Sequence, residues 1–267
     1  MNITRIAILT SSRFGIAGDC LSELCASPNL SIVGVVVAGR APARRWRTVL
    51  RKIRKIMRIG IAGALNGVRM RAWYESADAA DVAAICRERG VPLFEVPHVN
   101  SSETVELFQG LQPDLGLSLG NGYISRKVFD LPKSGMINVH GERLPDYQNA
   151  QSVIWPIYHN ETRTGLSIHQ IDAGIDTGAV LHSEEFDILF SPRLEDTVRR
   201  TVAVTHVRTP RAVRYVCENY ATLAARAAPQ PAGRVFTTPS ISQFARMVRN
   251  NRMLYQASSA RGGGRND

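Results

Sequence analysis

Short apolar runs alternate with amphipathic segments along most of this chain, and that alternation constrains its fold more than any other feature. The first two runs, at 5–9 and 31–38, have the length and aliphatic content of buried strands, and the segment 16–25 between them has helical periodicity. A strand, a helix and a second strand in this order form the unit from which parallel sheets are built. The chain therefore begins as an α/β protein.

The same succession of elements continues well into the second half of the chain. The sequence predicts helices at 78–89, 103–109, 150–160 and from 191 onward, and strands at 93–96, 115–119, 136–140, 164–171 and 179–188. This order favours a Rossmann-like, twisted, mostly parallel sheet with helices on both faces. In such sheets ligands bind beyond the carboxyl ends of the strands, so polar residues that close a strand are candidates for a functional site.

Several sequence features exclude common classes of protein. The loop after the first strand, TSSRFGIAGDC, lacks both the glycine spacing of a dinucleotide site and the Gly-Lys of a P-loop. The four cysteines lack the spacing of a zinc site, so we expect no bound metal and a reducing compartment. No run approaches the roughly 18 apolar residues of a spanning helix, and the first residues do not form a signal peptide, so we expect a cytoplasmic location.

Two polar residues close the strand predicted at 136–140. Asn138 and His140 lie two positions apart in GMINVHGERLPDYQ, so they point to the same side of that strand. The Asn amide is an uncharged donor, and the His imidazole is a base near neutral pH. The pair suits proton transfer beside a developing oxyanion, although an Asn and a His at a strand end also occur for purely structural reasons.

A second polar cluster is HQIDAGIDTGAVL, where Gly174 and Gly178 permit a tight loop that contains Asp172 and Asp176. An acidic, glycine-rich loop is by itself commonly a simple turn. In combination, NVHGERLPDY, the following SVIW and TGLSIHQIDAGIDTGAVL resemble the folate-dependent formyltransferase family. Members of that family act on methionyl-tRNA, glycinamide ribonucleotide or sugar nucleotides. The resemblance is close from about 115 to 186 and looser before it.

The resemblance implies a catalytic Asn-His-Asp group, to which Asn138, His140 and Asp176 correspond. It also implies that an amine attacks the formyl group of N10-formyltetrahydrofolate directly. The pterin ring would lie between two loops, which contain Ser118, Leu119, Gly120, Asn121, Gly122, Tyr123 and Ile124 in the first and Ile171, Asp172 and Ala173 in the second. Gly120 and Gly122 would let the backbone approach the ring closely.

The acceptor amine is less constrained than the donor. Family members commonly continue the Leu-Pro turn with Tyr-Arg-Gly, whereas Gln148 and Asn149 follow Tyr147 here, which puts the usual contacts of that turn in doubt. About 35 residues follow the AAPQPAG linker, too few for the five-stranded barrel that the tRNA-acting members carry. We therefore expect a small-molecule acceptor, an amino-sugar nucleotide. Charged tRNA is the alternative, and a non-catalytic relic that binds membrane or nucleic acid is the third hypothesis.

Positive charge is concentrated in one segment. Eleven of the 33 Lys and Arg residues and no acid fall at 40–74, so this segment accounts for the whole net charge of +10. Within it, residues 44–60 predict a basic amphipathic helix whose apolar stripe comprises Trp46, Val49, Leu50, Ile53, Ile56 and Met57. Such a helix suits peripheral contact with the inner membrane surface. Packing on its own domain or on a homodimer mate, and contact with nucleic acid, remain open.

The domain organisation follows from the linker and the composition of the C-terminal part. We expect a formyltransferase catalytic domain at 1–227 that includes the basic insertion at 40–74. A short C-terminal appendage at 228–256 contains a predicted strand and a helix near 242–254. The glycine-rich tail at 257–267 is predicted to be disordered.

Overall fold

The computed structural model describes residues 3–39, 45–75 and 80–262. Its strands are β1 Thr4–Thr10, β2 Leu30–Ala38, β3 Leu93–Val96, β4 Leu115–Leu119, β5 Met136–His140, β6 Arg163–Gln170 and β7 Val180–Asp187. Its helices are α1 Ile16–Cys25, α2 Arg45–Arg69, α3 Val82–Arg89, α4 Ser102–Leu111, α5 Arg126–Phe129, α6 Ile154–Tyr158, α7 Leu194–Glu218, α8 Tyr220–Arg226 and α9 Ile241–Gly262. A 3-10 turn, Met70–Tyr74, follows α2.

The strands form one seven-stranded sheet in the order β3-β2-β1-β4-β5-β6-β7. Strands β1 to β5 pair in parallel, whereas β6 is antiparallel to β5 and β7 is antiparallel to β6. The winding reverses between β1 and β4, which is the position where doubly wound sheets bind their ligands. The predicted mostly parallel sheet is confirmed.

Helices cover both faces because successive side chains of β1 point in opposite directions. Ile6 and Ile8 belong to an apolar cluster with α1, α3 and α7 on one face. Ala7 and Leu9 belong to a second cluster with α4 and α5 on the other face. All four side chains are completely buried, which explains why β1 is apolar almost throughout instead of alternating between apolar and polar residues.

A third apolar cluster connects distant parts of the sequence. Met70 and Trp73, at the end of the basic segment, pack with α6, with α7 and with the C-terminal residues Phe236, Phe244 and Met247. Met247 is completely buried there. The segment after residue 227 therefore shares a core with the rest of the described chain.

Two of the predicted helices have different extents in the structure. The helix predicted at 150–160 is reduced to α6, because Val153 and Asn160 have φ values of 71° and 62° and so leave the helical region on either side of it. The helix predicted from 191 begins at Leu194 and continues to Glu218.

A second helical part follows the predicted basic helix, and the C-terminal helix is longer than its sequence pattern indicated. Helix α2 has two parts that meet at a kink at Gly60, whose backbone is non-helical with φ 74°; the first part ends at the predicted bound, and the second part, which was not predicted, continues to Arg69. Helix α9 includes 257–262, which we predicted as part of the disordered tail, because the glycine run begins only at Gly262. Residues 40–44, the start of the helix predicted at 78, and the tail at 263–267 lie outside the described residues.

Candidate active site

Strands β5 and β6 place three polar side chains on one wall at the carboxyl end of the parallel strands. In the antiparallel pairing of β5 with β6, Asn138 is opposite His169 and His140 is opposite Ser167. Residues that face each other across two strands lie on the same side of the sheet, so His169 joins the predicted pair. His169 had no predicted role, because its position depends on the register between two strands that are far apart in the chain.

The loop between β6 and β7 carries Asp176 to the same wall. Asp172 Oδ1 accepts hydrogen bonds from the Gly174 main-chain N at 2.9 Å and from Thr177 Oγ1 at 2.6 Å, which folds the loop tightly. A Cβ at Gly178 would overlap the main-chain oxygen of Gln170, so only glycine fits there. One oxygen of Asp172, which we predicted to bind the cofactor, is therefore engaged in shaping the loop.

The Asp176 carboxylate lies between two imidazoles. Its Oδ2 is 3.4 Å from Nδ1 of His140, and its Oδ1 is 3.5 Å from Nε2 of His169. Oδ2 also accepts a hydrogen bond of 2.9 Å from the main-chain N of Asn149. Both imidazoles are buried and Asp176 is nearly so, which strengthens the electrostatic interaction among the three groups.

Two main-chain carbonyls set the tautomers of these imidazoles. His140 Nε2 donates to the Tyr147 oxygen at 2.7 Å, and His169 Nδ1 donates to the Gln170 oxygen at 2.8 Å. A carbonyl can only accept, so each neutral ring carries its proton on that nitrogen and leaves the other nitrogen, which faces Asp176, unprotonated. Asn138 Nδ2 donates to His169 Nε2 at 3.2 Å and has a second N–H available for a ligand.

The pKa values of these groups favour a neutral imidazole beside an ionised carboxylate. Burial lowers the pKa of His140, and the charge of Asp176 opposes this effect only in part. Burial raises the pKa of Asp176, but the His169 and His140 imidazoles, which lower it when they are protonated, and the hydrogen bond from the Asn149 N–H outweigh burial, so the net pKa is lowered. The wall can therefore accept a proton on His140 Nδ1, where the adjacent carboxylate would stabilise the resulting positive charge.

A cavity of about 430 Å³ opens in front of this wall. Asn138, His140 and Asp176 line it together with eight of the ten residues predicted to bind the cofactor, namely Ser118, Gly120, Asn121, Gly122, Tyr123, Ile124, Ile171 and Asp172. The other two do not line it: Leu119 is completely buried in the core, and Ala173 is exposed to solvent. Gly174, which also lines the cavity, ends the loop 171–174 that was predicted to close the other side of the ring. The sequence did not predict the remaining lining residues, which are Val139, Asn149, Ala150, Gln151, His169 and Ile175.

The loop after β4 is held in place by two asparagines. Asn121 Nδ2 donates to the Leu9 oxygen at 2.6 Å, and Asn100 Nδ2 donates to the Tyr123 oxygen at 2.9 Å. A Cβ built at Gly120 or Gly122 would meet no atom within 4 Å, so both glycines border open space. A preformed loop with bare backbone at its tip fits a flat heterocycle that binds through main-chain groups.

The C-terminal segment binds the two residues that depart from the family pattern. The main-chain N of Gln148 donates to the Arg234 oxygen at 3.0 Å, and the N of Phe236 donates to the Gln148 oxygen at 2.9 Å. Asn149 Nδ2 donates to the Phe236 oxygen at 2.8 Å. Because Asn149 also binds Asp176 through its N–H, this turn connects the C-terminal segment to the carboxylate.

Comparisons with known proteins agree with this fold and show the family of the chain. The model of the formyl transferase family matches residues 70–213, which is more than half of the chain. The methionyl-tRNA formyltransferase of Kosmotoga olearia is 34% identical over 108 residues, which cover 40% of this chain and 35% of that protein. The chain thus belongs to the formyl transferase family, and it matches only about a third of the length of that relative.

Solved structures extend the similarity of the fold beyond the segment that the family model matches. An N-formyltransferase from Helicobacter canadensis, in complex with folinic acid and dTDP-3-aminofucose, matches with a TM-score of 0.55 and 14% identity over 96% of this chain and 81% of its own. Glycinamide ribonucleotide transformylase 1 from Geobacillus kaustophilus matches with a TM-score of 0.53 and 17% identity over 81% of this chain and 100% of its own. At these identities the matches establish the fold alone.

Proposed function

We propose that this chain transfers a formyl group from N10-formyltetrahydrofolate to a primary amine, with Asn138, His140 and Asp176 as the catalytic residues. The observation that carries the proposal is the position of the Asp176 carboxylate, 3.4 Å from the unprotonated Nδ1 of a buried His140 in the wall of the cavity. A buried base beside a fixed carboxylate is suited to general acid and base catalysis.

The residues of the wall have separate tasks in this reaction. The bound folate would supply the formyl carbon. The acceptor nitrogen would add to that carbon to give a tetrahedral intermediate with a negative oxygen, from which N10 would then leave with the electron pair of its bond. The second N–H of Asn138 would stabilise the negative oxygen that develops, an interaction typically worth about 3 to 4 kcal/mol in the barrier. His140 Nδ1 would take the proton that the amine loses and return it to N10, and Asp176 would stabilise the imidazolium in between.

The cavity also fits the donor. The loop 118–125 presents main-chain groups and two glycines, and the loop that begins at Ile171 forms another part of the lining. Predominantly main-chain recognition suits a pterin, whose ring edge carries several donors and acceptors. The described residues of both loops would hold the ring, with Asn121 and Asp172 fixing the loops themselves.

For the acceptor we propose an amino-sugar nucleotide. The supporting observation is the extent of the structural match, because 96% coverage by the Helicobacter canadensis enzyme includes most of the segment after residue 227. In this chain that segment binds Gln148 and Asn149 directly, beside the catalytic wall. An acceptor that approaches Asp176 would therefore come close to residues of this segment.

Charged tRNA is the second candidate acceptor. Two observations favour it: the relative from Kosmotoga olearia is a methionyl-tRNA formyltransferase, and α2 exposes Arg54 and Arg58 within a segment that contains no acid. Cationic side chains of this kind bind phosphates without reading the sequence of bases.

One assay that compares the acceptors in parallel separates these candidates. The purified chain is supplied with N10-formyltetrahydrofolate and, in parallel, with amino-sugar nucleotides, charged methionyl-tRNA, glycinamide ribonucleotide or no amine. Tetrahydrofolate release and the mass of each acceptor are measured. We expect a formylated amino-sugar nucleotide and little folate turnover without an amine. Formylation of the tRNA alone would replace the proposed acceptor, and absence of folate turnover with every amine would refute formyl transfer.

A further inference from the structure

The basic segment presents an apolar patch to solvent that the proposed reaction does not use. The patch is defined by six exposed side chains on the two parts of α2, Ile53, Ile56 and Met57 before the kink at Gly60 and Ile61, Leu65 and Val68 after it. Met57 is 81% exposed and Leu65 is 67% exposed, values more typical of charged side chains. Six large apolar residues exposed within 16 positions are a feature of interaction surfaces.

The second part of α2 is anchored to the protein by the opposite face of the helix. Gly63, Gly67 and Met70 are buried at steps of four and three residues, and a Cβ at Gly67 would come within 2.6 Å of Thr238 Cγ2. Ile61, Leu65 and Val68 repeat at the same steps but lie on the other side of the helix. Close packing of the glycine face therefore fixes the direction in which the apolar face points.

The first part of α2 has an apolar face next to a positively charged face. Ile53, Ile56 and Met57 fall within about 100° of helix circumference at 100° per residue. Arg54 and Arg58, also exposed, fall on the adjacent arc. The surrounding segment 40–74 has eleven basic residues and no acid. The first part of α2 thus presents an apolar face bordered by positive charge.

We infer that this patch binds the surface of an anionic lipid bilayer, with the apolar side chains inserted among the acyl chains and the arginines among the headgroups. An apolar helix face bordered by Arg and Lys is the surface that helices lying in the lipid interface present. No described helix is long and apolar enough to cross a bilayer, so the contact would be peripheral.

Charge distinguishes a bilayer from the other occupants of such a surface. A symmetric dimer formed through this face would bring the same positive segment of two copies together, which repels. A nucleic acid would satisfy Arg54 and Arg58 but would leave Leu65 and its apolar neighbours exposed to water. An anionic bilayer satisfies both the charge and the apolar side chains.

Vesicle flotation of the full chain tests this inference. Vesicles of phosphatidylcholine alone are compared with vesicles that also contain phosphatidylglycerol, at low and high salt. We expect the chain to float with the anionic vesicles and salt to weaken the binding. The variant Arg54→Gln with Arg58→Gln should lose about fivefold in partition coefficient for each arginine removed.

The apolar contribution needs its own variant and a matched control. Ile61→Asn, Leu65→Asn and Val68→Asn together should reduce partitioning by about tenfold or more, because each removes a side chain that would insert into the bilayer. Val207→Asn on α7 removes an equally exposed apolar side chain, 74% accessible, and should leave partitioning unchanged. All these residues are exposed, so the melting temperatures should remain close to that of the wild type.

Three outcomes would overturn the inference. The first is equal recovery of the wild type in the soluble fraction with every lipid and salt. The second is wild-type flotation of the triple Asn variant. The third is a lack of flotation together with one of two other findings. Either the wild type and the triple Asn variant both bind tRNA in a salt-sensitive way, or the wild type forms a dimer in sedimentation velocity that the triple Asn substitution dissociates. That result would assign the surface to nucleic acid or to a second copy of this chain.

Discussion

Gln230, which lies 54 residues after Asp176 in the sequence, hydrogen-bonds to the backbone of Asp176. Its Nε2 donates to the main-chain oxygen of Asp176 at 3.1 Å and to that of Gly178 at 2.5 Å. Asp176 itself has φ 56°, a conformation that non-glycine residues adopt at a cost. A single amide thus ties two carbonyls of the Asp176 loop to the C-terminal segment.

We therefore predict that Gln230→Ala lowers kcat by roughly 10- to 100-fold, because the Asp176 carboxylate would no longer be held at its distance from His140. The affinity for a folate analogue should change less than kcat, since Asp172 holds the start of the same loop and Asn121 holds the loop after β4, both without Gln230. Steady-state kinetics and calorimetry on the same preparation give both quantities. Gln109→Ala, which removes an exposed Gln from α4, is the matched control and should behave as the wild type. An unchanged kcat in Gln230→Ala would show that the loop holds Asp176 unaided.

His140→Ala and Asp176→Asn should each reduce formyl transfer by about 10²- to 10⁴-fold. The first removes the base, and the second retains the shape of the side chain but not the charge that would stabilise an imidazolium. Single-turnover rates with the acceptor that the assay above finds to be formylated measure the effect, and circular dichroism checks the fold. Asp187→Asn on the edge strand β7 serves as the control for loss of an exposed carboxylate. Near-normal single-turnover rates in either of the first two variants would contradict the proposed roles.

Sequence patterns predicted the elements of this fold better than they predicted the contacts between them. The bounds of β5 follow from a short apolar run that ends in polar residues, and the structure has the same bounds, Met136–His140. His169 was not predicted, because its approach to Asn138 depends on the register of two strands and on no local pattern. Gln230 lies 54 residues from Asp176, so its contact could not be inferred without the packed chain.

The short length of α6 illustrates the same limit. The run AQSVIWPIYHN has the composition of a longer helix, yet Val153 adopts φ 71°, which is unusual for a β-branched residue. Its main-chain N–H donates to Glu142 Oε1 at 2.5 Å, and Thr164 Oγ1 donates to the same oxygen at 2.7 Å. A completely buried carboxyl group, whose pKa is raised to about 8 by burial, therefore accounts for a local conformation that propensity alone would not give.

The rate should depend on pH through His140. Burial holds its pKa below the usual 6.5, so the imidazole is neutral and available as a base at neutral pH. We expect kcat/KM to fall as the pH drops through a value below 6.5, because protonation of His140 then removes the base. Titration of the His140 ring by NMR should give the same midpoint. In Asp176→Asn the midpoint should move to lower pH, because the charge that raises the pKa of His140 is gone. A shift to higher pH would contradict the arrangement.

The loop after β4 offers a test of the folate site that leaves the catalytic wall intact. A side chain added at Gly122 meets no protein atom within 4 Å, and Gly122 does not have the positive φ that makes Gly120 unsuitable for substitution. Gly122→Val should therefore fold normally but place two methyl groups at the lining of the cavity. Steric overlap of this size commonly costs about 1 to 3 kcal/mol, so we expect roughly 5- to 150-fold weaker binding of a non-reactive reduced-folate analogue.

Calorimetry should show one folate site per chain in the wild type and the weakened site in Gly122→Val. Gly110→Val is the matched control, because Gly110 also borders open space but lies on α4, outside the lining of the cavity. Its folate affinity should equal that of the wild type. If Gly122→Val binds the analogue as tightly as Gly110→Val does, the ring does not lie against this loop. Absence of binding heat in the wild type, together with no thermal shift at saturating analogue, would remove the folate site altogether.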